Sequence, residues 1–207
     1  MRVVSGTARG RRLHAPAGLD VRPTLDRVRE AMFNALDSMG AIRGATVLDL
    51  FAGSGALGVE ALSRGAHHVT FVDSARRSIA AVEANLADLA MSDRATVLRS
   101  EAFAALGSSA GSGPFDLVLA DPPYAFDQWA ELIGALAAVV TPTGVVVAES
   151  DRDLEPAVAA SRSTTGAGIL RQRRYGGTVV TMLTFEWSPP VPPATASGDL
   201  SDQEPGS

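Results

Sequence analysis

Two short stretches of this chain combine residue types and spacings that can do chemistry. The first is Asp121-Pro122-Pro123-Tyr124, which follows the apolar run FDLVLA. Neither proline has an N–H, each fixes its own φ, and the residue before a proline is pushed into extended backbone. The outcome is a stiff tip bearing a carboxylate, a carbonyl of fixed direction and an aromatic face. An exocyclic amine on a nucleobase is a poor nucleophile, because its lone pair is delocalised into the ring. It needs two acceptors that hold both N–H groups and turn the lone pair towards an electrophile. Asp121 and the Pro122 carbonyl supply them, Pro123 locks the direction, and Tyr124 offers a face on which a splayed or flipped base can stack. Asp121 or water takes the released proton. The competing reading is a Pro-Pro turn leaving a strand, with Tyr124 packing.

The second stretch is DLFAGSGALG, residues 49–58. Gly53, Gly55 and Gly58 fit G-x-G-x-x-G, and Asp73 follows twenty residues after Gly53, the spacing of a dinucleotide-binding fingerprint. Asp49 shifts that reading. It stands among Leu48, Leu50 and Phe51, where a pyrophosphate would be repelled and a cationic ligand end would not. S-adenosylmethionine carries a sulfonium and an ammonium and no phosphate. On this reading Phe51, Ala52, Gly53, Ser54 and Gly55 border its methionine end, and Asp73 with Ser74 takes the ribose hydroxyls. Asp49 orients the turn or meets the ammonium; alternatively it caps the turn through backbone bonds. Glu101, followed by Ala102, accepts from the adenine amine or is an ordinary acid at a helix N-terminus. The reaction is then direct in-line methyl transfer from sulfur to nitrogen, by positioning and electrostatics, with no metal and no covalent enzyme intermediate.

These stretches need a scaffold that brings them to one edge. From residue 45 the chain alternates strands at 46–51, 68–73, 96–99, 115–121 and 144–150 with helices at 56–64, 75–90, 102–106, 127–140 and 153–160. That alternation predicts an α/β fold: a mostly parallel Rossmann-like sheet whose ligands sit beyond the carboxyl ends of the strands. Runs 169–175 and 178–187 flank Gly176-Gly177 and predict an antiparallel hairpin closing the sheet. Before the alternation, 24–39 has helical periodicity with Thr24 as N-cap. Residues 2–5 and 10–13 predict a small β-hairpin around GTARG. The expected division is an N-terminal arm over 1–22, a catalytic domain over 23–187 and a tail over 188–207. The tail is almost without large apolar residues and is expected to be disordered. GSSAGSG (107–113) reads as a flexible loop.

Composition narrows the chemistry further. The chain has 207 residues and no cysteine, and its 18 basic residues are all arginine. Disulfides, thiolate nucleophiles, amine bases and the lysine-bearing phosphate loop are therefore excluded. The three histidines are scattered and predict no metal site. No apolar run reaches membrane length and the start lacks a signal core, so a cytoplasmic protein is expected. The net charge is −5, yet residues 1–30 hold seven arginines against three acids. Arg2, Arg9, Arg11, Arg12 and Arg22 thus suit an arm that grips phosphates, the four on the hairpin by alternating onto one exposed side. Alternatively they are a charged edge that discourages strand pairing.

VLDLFAGSG with DPPY resembles the amino-methyltransferases of nucleobases. RVVSGTARGRRL, RPTLDRVREAMFNAL and RYGGT together resemble the bacterial small-subunit ribosomal RNA guanine-N2 methyltransferases of the RsmD type, over roughly residues 1–187. The resemblance implies methylation of a guanine N2 amine in 16S ribosomal RNA, on a partly or fully assembled subunit, by a protein expected to be monomeric. It also implies that Arg22, Pro23, Thr24 and Arg27 lie beside the cofactor or substrate. Two other readings are a DNA adenine-N6 methyltransferase, for which no separate target-recognition domain is present, and an NAD-dependent oxidoreductase, which leaves Asp49, DPPY and the arm unexplained.

Overall fold

A computed structural model describes residues 1–15, 23–108 and 113–185. Helix α1 (Pro23–Ser38) precedes an alternating series. This runs β1 (Thr46–Leu50), α2 (Ala56–Ser63), β2 (His68–Asp73), α3 (Arg76–Asp88), β3 (Ala95–Arg99), α4 (Ala102–Leu106) and β4 (Phe115–Ala120). It continues with α5 (Trp129–Ala137), β5 (Val140–Ser150), α6 (Glu155–Thr165), β6 (Ala167–Tyr175) and β7 (Thr178–Phe185). The seven-stranded sheet has the order β3-β2-β1-β4-β5-β7-β6. Strands β1 to β5 are parallel, and β7 pairs antiparallel with both β5 and β6. The expected Rossmann-like sheet with an antiparallel close is the fold observed.

The pleat sorts the core into two layers. Val47, Leu117, Leu119, Val145 and Val147 face α1, α2 and α3, whereas Leu48, Val118, Val146 and Ala148 face α4, α5 and α6. Strands covered on both sides read as near-continuous apolar runs. Each fully buried Leu, Val or Phe contributes about 1.5–3 kcal/mol. Among the described residues no helix is long and apolar enough to cross a membrane.

Several boundaries differ from expectation, for local reasons. Strand β1 stops at Leu50 because Phe51 takes φ 63°. Strand β4 stops at Ala120 because Pro122 cannot continue a ladder. Thr24 is not the N-cap: Pro23 is already helical, at the position where a missing N–H costs nothing. Strand β5 begins earlier and α6 runs longer, to a left-handed Gly166 cap at φ 67°.

The N-terminal hairpin differs most. It holds a single antiparallel bridge, Arg2 to Arg12, rather than two strands. Three backbone bonds still cross the arm, Val3 N–H to Arg11 O at 3.0 Å, Gly10 N–H to Val3 O at 2.9 Å and Leu13 N–H to Met1 O at 3.1 Å, and the segment between them bonds to α2. Glu60, fully buried, accepts from Val4 N and Ser5 N at 2.7 and 3.0 Å. Ser63 Oγ accepts from Ala8 N at 2.9 Å, and Ser63 O accepts from Thr7 N at 2.8 Å. Gly6 has φ +81°, and a Cβ there would fall 1.9 Å from Ser63 O. Val3, Ala8 and Leu13 are buried beneath the arm. Residues 16–22, part of GSSAGSG and the tail lie outside the described residues.

Candidate active site

Parallel strands place their carboxyl ends along one edge, and the crossover direction reverses between β1 and β4, which pair directly. A reversal of that kind opens a crevice. The glycine turn leaves β1 and the DPPY tip leaves β4, so topology alone makes them neighbours. Asp121 N–H reaches back to Leu50 O at 3.5 Å.

The glycine turn is held by two carboxylates. Asp49, 1% exposed within β1, accepts from Gly58 N–H at 2.8 Å and so ties the strand to the first turn of α2. Gly58 must be glycine: a Cβ there would meet Phe71 Cε1 at 2.3 Å and Asp49 Oδ2 at 2.9 Å. Asp73, at the end of β2, accepts from Gly53 N–H through Oδ2 and from Ala75 N–H through Oδ1, each at 2.8 Å. Each oxygen keeps a lone pair for a ligand hydroxyl. Gly53 and Gly55 both take positive φ, 56° and 75°. Ser54 is buried, Ser74 is exposed, and Ala52 and Ala102 line the edge as buried alanines. Glu101 precedes α4, is exposed and makes no side-chain cap, which leaves its carboxylate available beside the crevice.

The DPPY tip is braced from behind. Phe126 N–H donates to Pro123 O at 2.8 Å, closing a turn. The Phe126 ring packs edge-on against Phe51 at 5.5 Å and Trp129 at 5.2 Å. Pro122 is buried, and among the described residues no hydrogen bond engages its carbonyl. Tyr124 is 69% exposed, so it is a presented ring rather than a packed one.

Three acids share one sheet face here. Asp49 pairs in register with Leu119, and Leu119 with Val147. Two residues further on, Asp121 and Glu149 continue the same alternation. Burial pushes the Asp49 carboxyl well above the usual carboxylate range; the Gly58 N–H opposes the rise, and the Asp121 and Asp73 charges add to it. Burial pushes Asp121 up to about 6. Asp121 keeps an exposed surface, and solvent there tempers the rise without reversing it. Glu149 is pushed up to about 8, first by burial, then by Asp121, with Arg29 opposing and Asp49 adding. A bound sulfonium and ammonium would favour the ionised forms of these raised carboxyls, and the free lone pairs of Asp73 suit ribose hydroxyls, so the residues present fit such a group.

The family model described as "Conserved hypothetical protein 95" matches residues 1–184. The chain belongs to this family, the RsmD/YlbH family. YlbH of Bacillus subtilis is 41% identical over 158 residues, covering 75% of this chain and 85% of that protein. Ribosomal RNA small subunit methyltransferase D of Haemophilus influenzae is 35% identical over 156 residues, covering 74% and 80%. The solved structure of yhhF from Escherichia coli superposes with a TM-score of 0.76 at 34% identity, covering 91% of this chain and 99% of that one.

Within this RsmD/YlbH member, the sequence-derived residues divide by location. Asp49, Phe51 to Gly55, Asp73, Ser74, Glu101, Ala102 and Asp121 to Tyr124 are gathered along one edge. Arg27 is exposed on α1, and Arg22 and the Thr24 side chain lie outside the described residues. Arg2, Arg9, Arg11 and Arg12 are exposed but do not share one side. Arg2 and Arg12 are cross-strand partners and point the same way. Arg11 lies on the other side of that pair and donates to Asp88 O at the end of α3 at 2.7 Å, while Arg2 donates to Gly10 O at 2.7 Å.

Three buried polar residues escaped the sequence reading. Asn85 sits on the apolar stripe of α3, 1% exposed, and joins the arm to the glycine turn. It accepts from His14 N at 2.7 Å and donates to His14 O at 3.0 Å and Ser54 O at 2.9 Å. Arg29, 4% exposed on α1, donates to Arg2 O at 2.5 Å. Glu149 closes the run VVVAE. Each carried one signal: a polar residue at the point where periodicity demands an apolar one.

Proposed function

We propose that this protein transfers a methyl group from S-adenosylmethionine to the exocyclic N2 amine of a guanine in small-subunit ribosomal RNA. The observation that carries the reading is the DPPY tip. A solvent-facing carboxylate, an unengaged carbonyl and a presented ring stand on one braced turn, beside a glycine turn held by Asp49 and Asp73. The name borne by the Haemophilus influenzae relative supports the ribosomal substrate.

Bound S-adenosylmethionine supplies an electrophilic methyl on a cationic sulfur and departs as a neutral thioether. The residues of this chain do the rest. Asp73 accepts the ribose hydroxyls, Glu101 accepts from the adenine amine, and the glycine turn brings backbone close to the methionine end. Thr24 and Arg27 of α1 are assigned to the same crevice on the family resemblance alone. Asp121 and the Pro122 carbonyl each accept one N–H of the target amine, and Tyr124 stacks on the base. As the new C–N bond forms, the amine proton passes to Asp121, a carboxyl poised near neutrality. Arg2, Arg9, Arg11 and Arg12 of the N-terminal arm, together with Arg22, hold phosphates; such contacts position RNA without reading its sequence.

The test supplies tritiated S-adenosylmethionine and the purified protein to small ribosomal subunits from a strain lacking it, followed by digestion to nucleosides. Label in N2-methylguanosine is expected. Label in N6-methyladenine, on RNA or on added DNA, would overturn the substrate assignment.

A further inference from the structure

We propose that the groove between α1 and the edge strand β6 holds a strand of the RNA substrate, with Arg171 and Arg173 on its phosphates. This rests on the ribosomal RNA reading above and adds a second contact surface, separate from the N-terminal arm.

Strand β6 is the outermost strand of the sheet and carries ILRQRRY. Arg171, Arg173 and Tyr175 line a shallow cleft whose opposite wall is α1, presented there as Ala31, Met32 and Ala35, so that a strand would lie across its mouth. Small alanines on that wall leave the strand's side chains uncovered. Arg171 and Arg173 are exposed, and no ion pair among the described residues engages either. Their neighbour Arg174 differs, since its charge acts on Asp151 and Asp153 and is partly neutralised there. The sequence thus leaves two guanidiniums unneutralised on one side of an edge strand, where a single charge would suffice to discourage strand pairing.

The direction of the groove is what links it to the reaction. Strand β6 runs antiparallel to β7, and β7 antiparallel to β5, so β6 points the same way as β5 and its Tyr175 end reaches the catalytic edge. In register, Arg173 lies opposite Val180, and Val180 opposite Glu149. Glu149 is the strand neighbour of Asp121. Arg173 therefore stands level with the DPPY tip on the same sheet face. It lies three strand spacings away, about 14 Å at about 4.8 Å each. A stacked nucleotide strand rises about 3.4 Å per residue, so the span is roughly four nucleotides. Paired planar guanidiniums with an aromatic wall suit a phosphodiester strand better than isolated carboxylates on a protein partner.

The experiment compares the full chain with Arg171→Gln/Arg173→Gln and with the arm variant Arg11→Glu/Arg12→Glu. The probes are a fluorescein-labelled single-stranded RNA of about 12 nucleotides and small subunits from the strain lacking the protein. Each single-strand phosphate contact adds about 0.7 to the log–log salt slope. Losing two lowers it by roughly 1.4, so the variant-to-parent Kd ratio should shrink about sevenfold between about 50 and 200 mM salt. Methylation of subunits should fall in parallel, while S-adenosylmethionine affinity and Tm stay at parental values. Parental Kd and slope in the β6 variant, with the arm variant weakened, would overturn this inference and leave the function standing. Lost subunit methylation with unchanged RNA affinity would assign the groove to a ribosomal protein and overturn the RNA assignment. Absence of RNA binding and methylation in the parent protein would instead remove the functional reading on which both depend.

Discussion

Glu149→Gln is expected to stabilise the protein at neutral pH, and the gain should grow with pH. In the fold the Glu149 carboxyl is pushed up to about 8 from an ordinary value of 4.5, mainly by burial and then by the Asp121 charge, against the opposing pull of Arg29. Between those two pH values the folded chain holds this proton and the unfolded chain has released it. The unfolded state then binds fewer protons, so stability falls as pH rises through that window. The fall is about 1.4 kcal/mol per pH unit, or about 3 kcal/mol from pH 4.5 to pH 7. Glutamine has nearly the shape of protonated glutamate and cannot ionise. The two proteins should therefore be equally stable near the lower end, and the variant should exceed the parent by about 3 kcal/mol at pH 7. Urea unfolding followed by circular dichroism across that range, with equal m-values required, measures the difference. A stability difference that does not change with pH would refute the reasoning. A variant weaker than the parent at neutral pH would show instead that Glu149 is ionised and locked to Arg29.

Asp121→Asn should lower kcat by about 10²- to 10⁴-fold, the usual contribution of a proton acceptor, with S-adenosylmethionine affinity unchanged by calorimetry. In the parent, Asp121 must be ionised to accept, so kcat/KM should climb as pH rises towards about 6 and level off above it; the same climb persisting in the variant would assign it to another group. Asn85→Ala strips partners from His14 N, His14 O and Ser54 O, and should cost about 3 kcal/mol in urea unfolding while weakening cofactor binding, because the glycine turn loses its brace. Arg11→Glu with Arg12→Glu should weaken RNA binding and flatten its salt dependence; an unaltered slope would mean that the arm does not hold phosphates.

Much of this architecture could be read from the chain because its strands are buried on both sides. Runs such as TVLDL and FDLVLA carry no alternation, and their carboxyl ends are marked by residues that do not belong in a core, Asp49 and the DPPY tip. What stayed hidden depended on partners far away in sequence. Asn85 is explained by His14, 71 residues earlier. The arm looked like two strands because its residues suit strands. Backbone bonds do cross it, but between them Val4, Ser5 and Ala8 give their N–H groups to Glu60 and Ser63 on α2, so no continuous ladder forms. Periodicity registers which residues are apolar; it does not register a buried carboxylate waiting for two N–H groups.

The strand order also constrains how the molecule is made. Strand β7, last in the chain among the described residues, lies inside the sheet between β5 and β6. A chain emerging from the ribosome presents β5 and then β6 with a gap between them that only later residues can fill. Until then β5 has one edge unsatisfied and β6 has no neighbour at all. Assembly of the N-terminal strands can proceed during synthesis, whereas the β5 edge is satisfied only once β7 has been made. A stop codon before Thr178 would remove β7 and leave the inner edge of β5 unpaired, where the cell's quality control would meet it first.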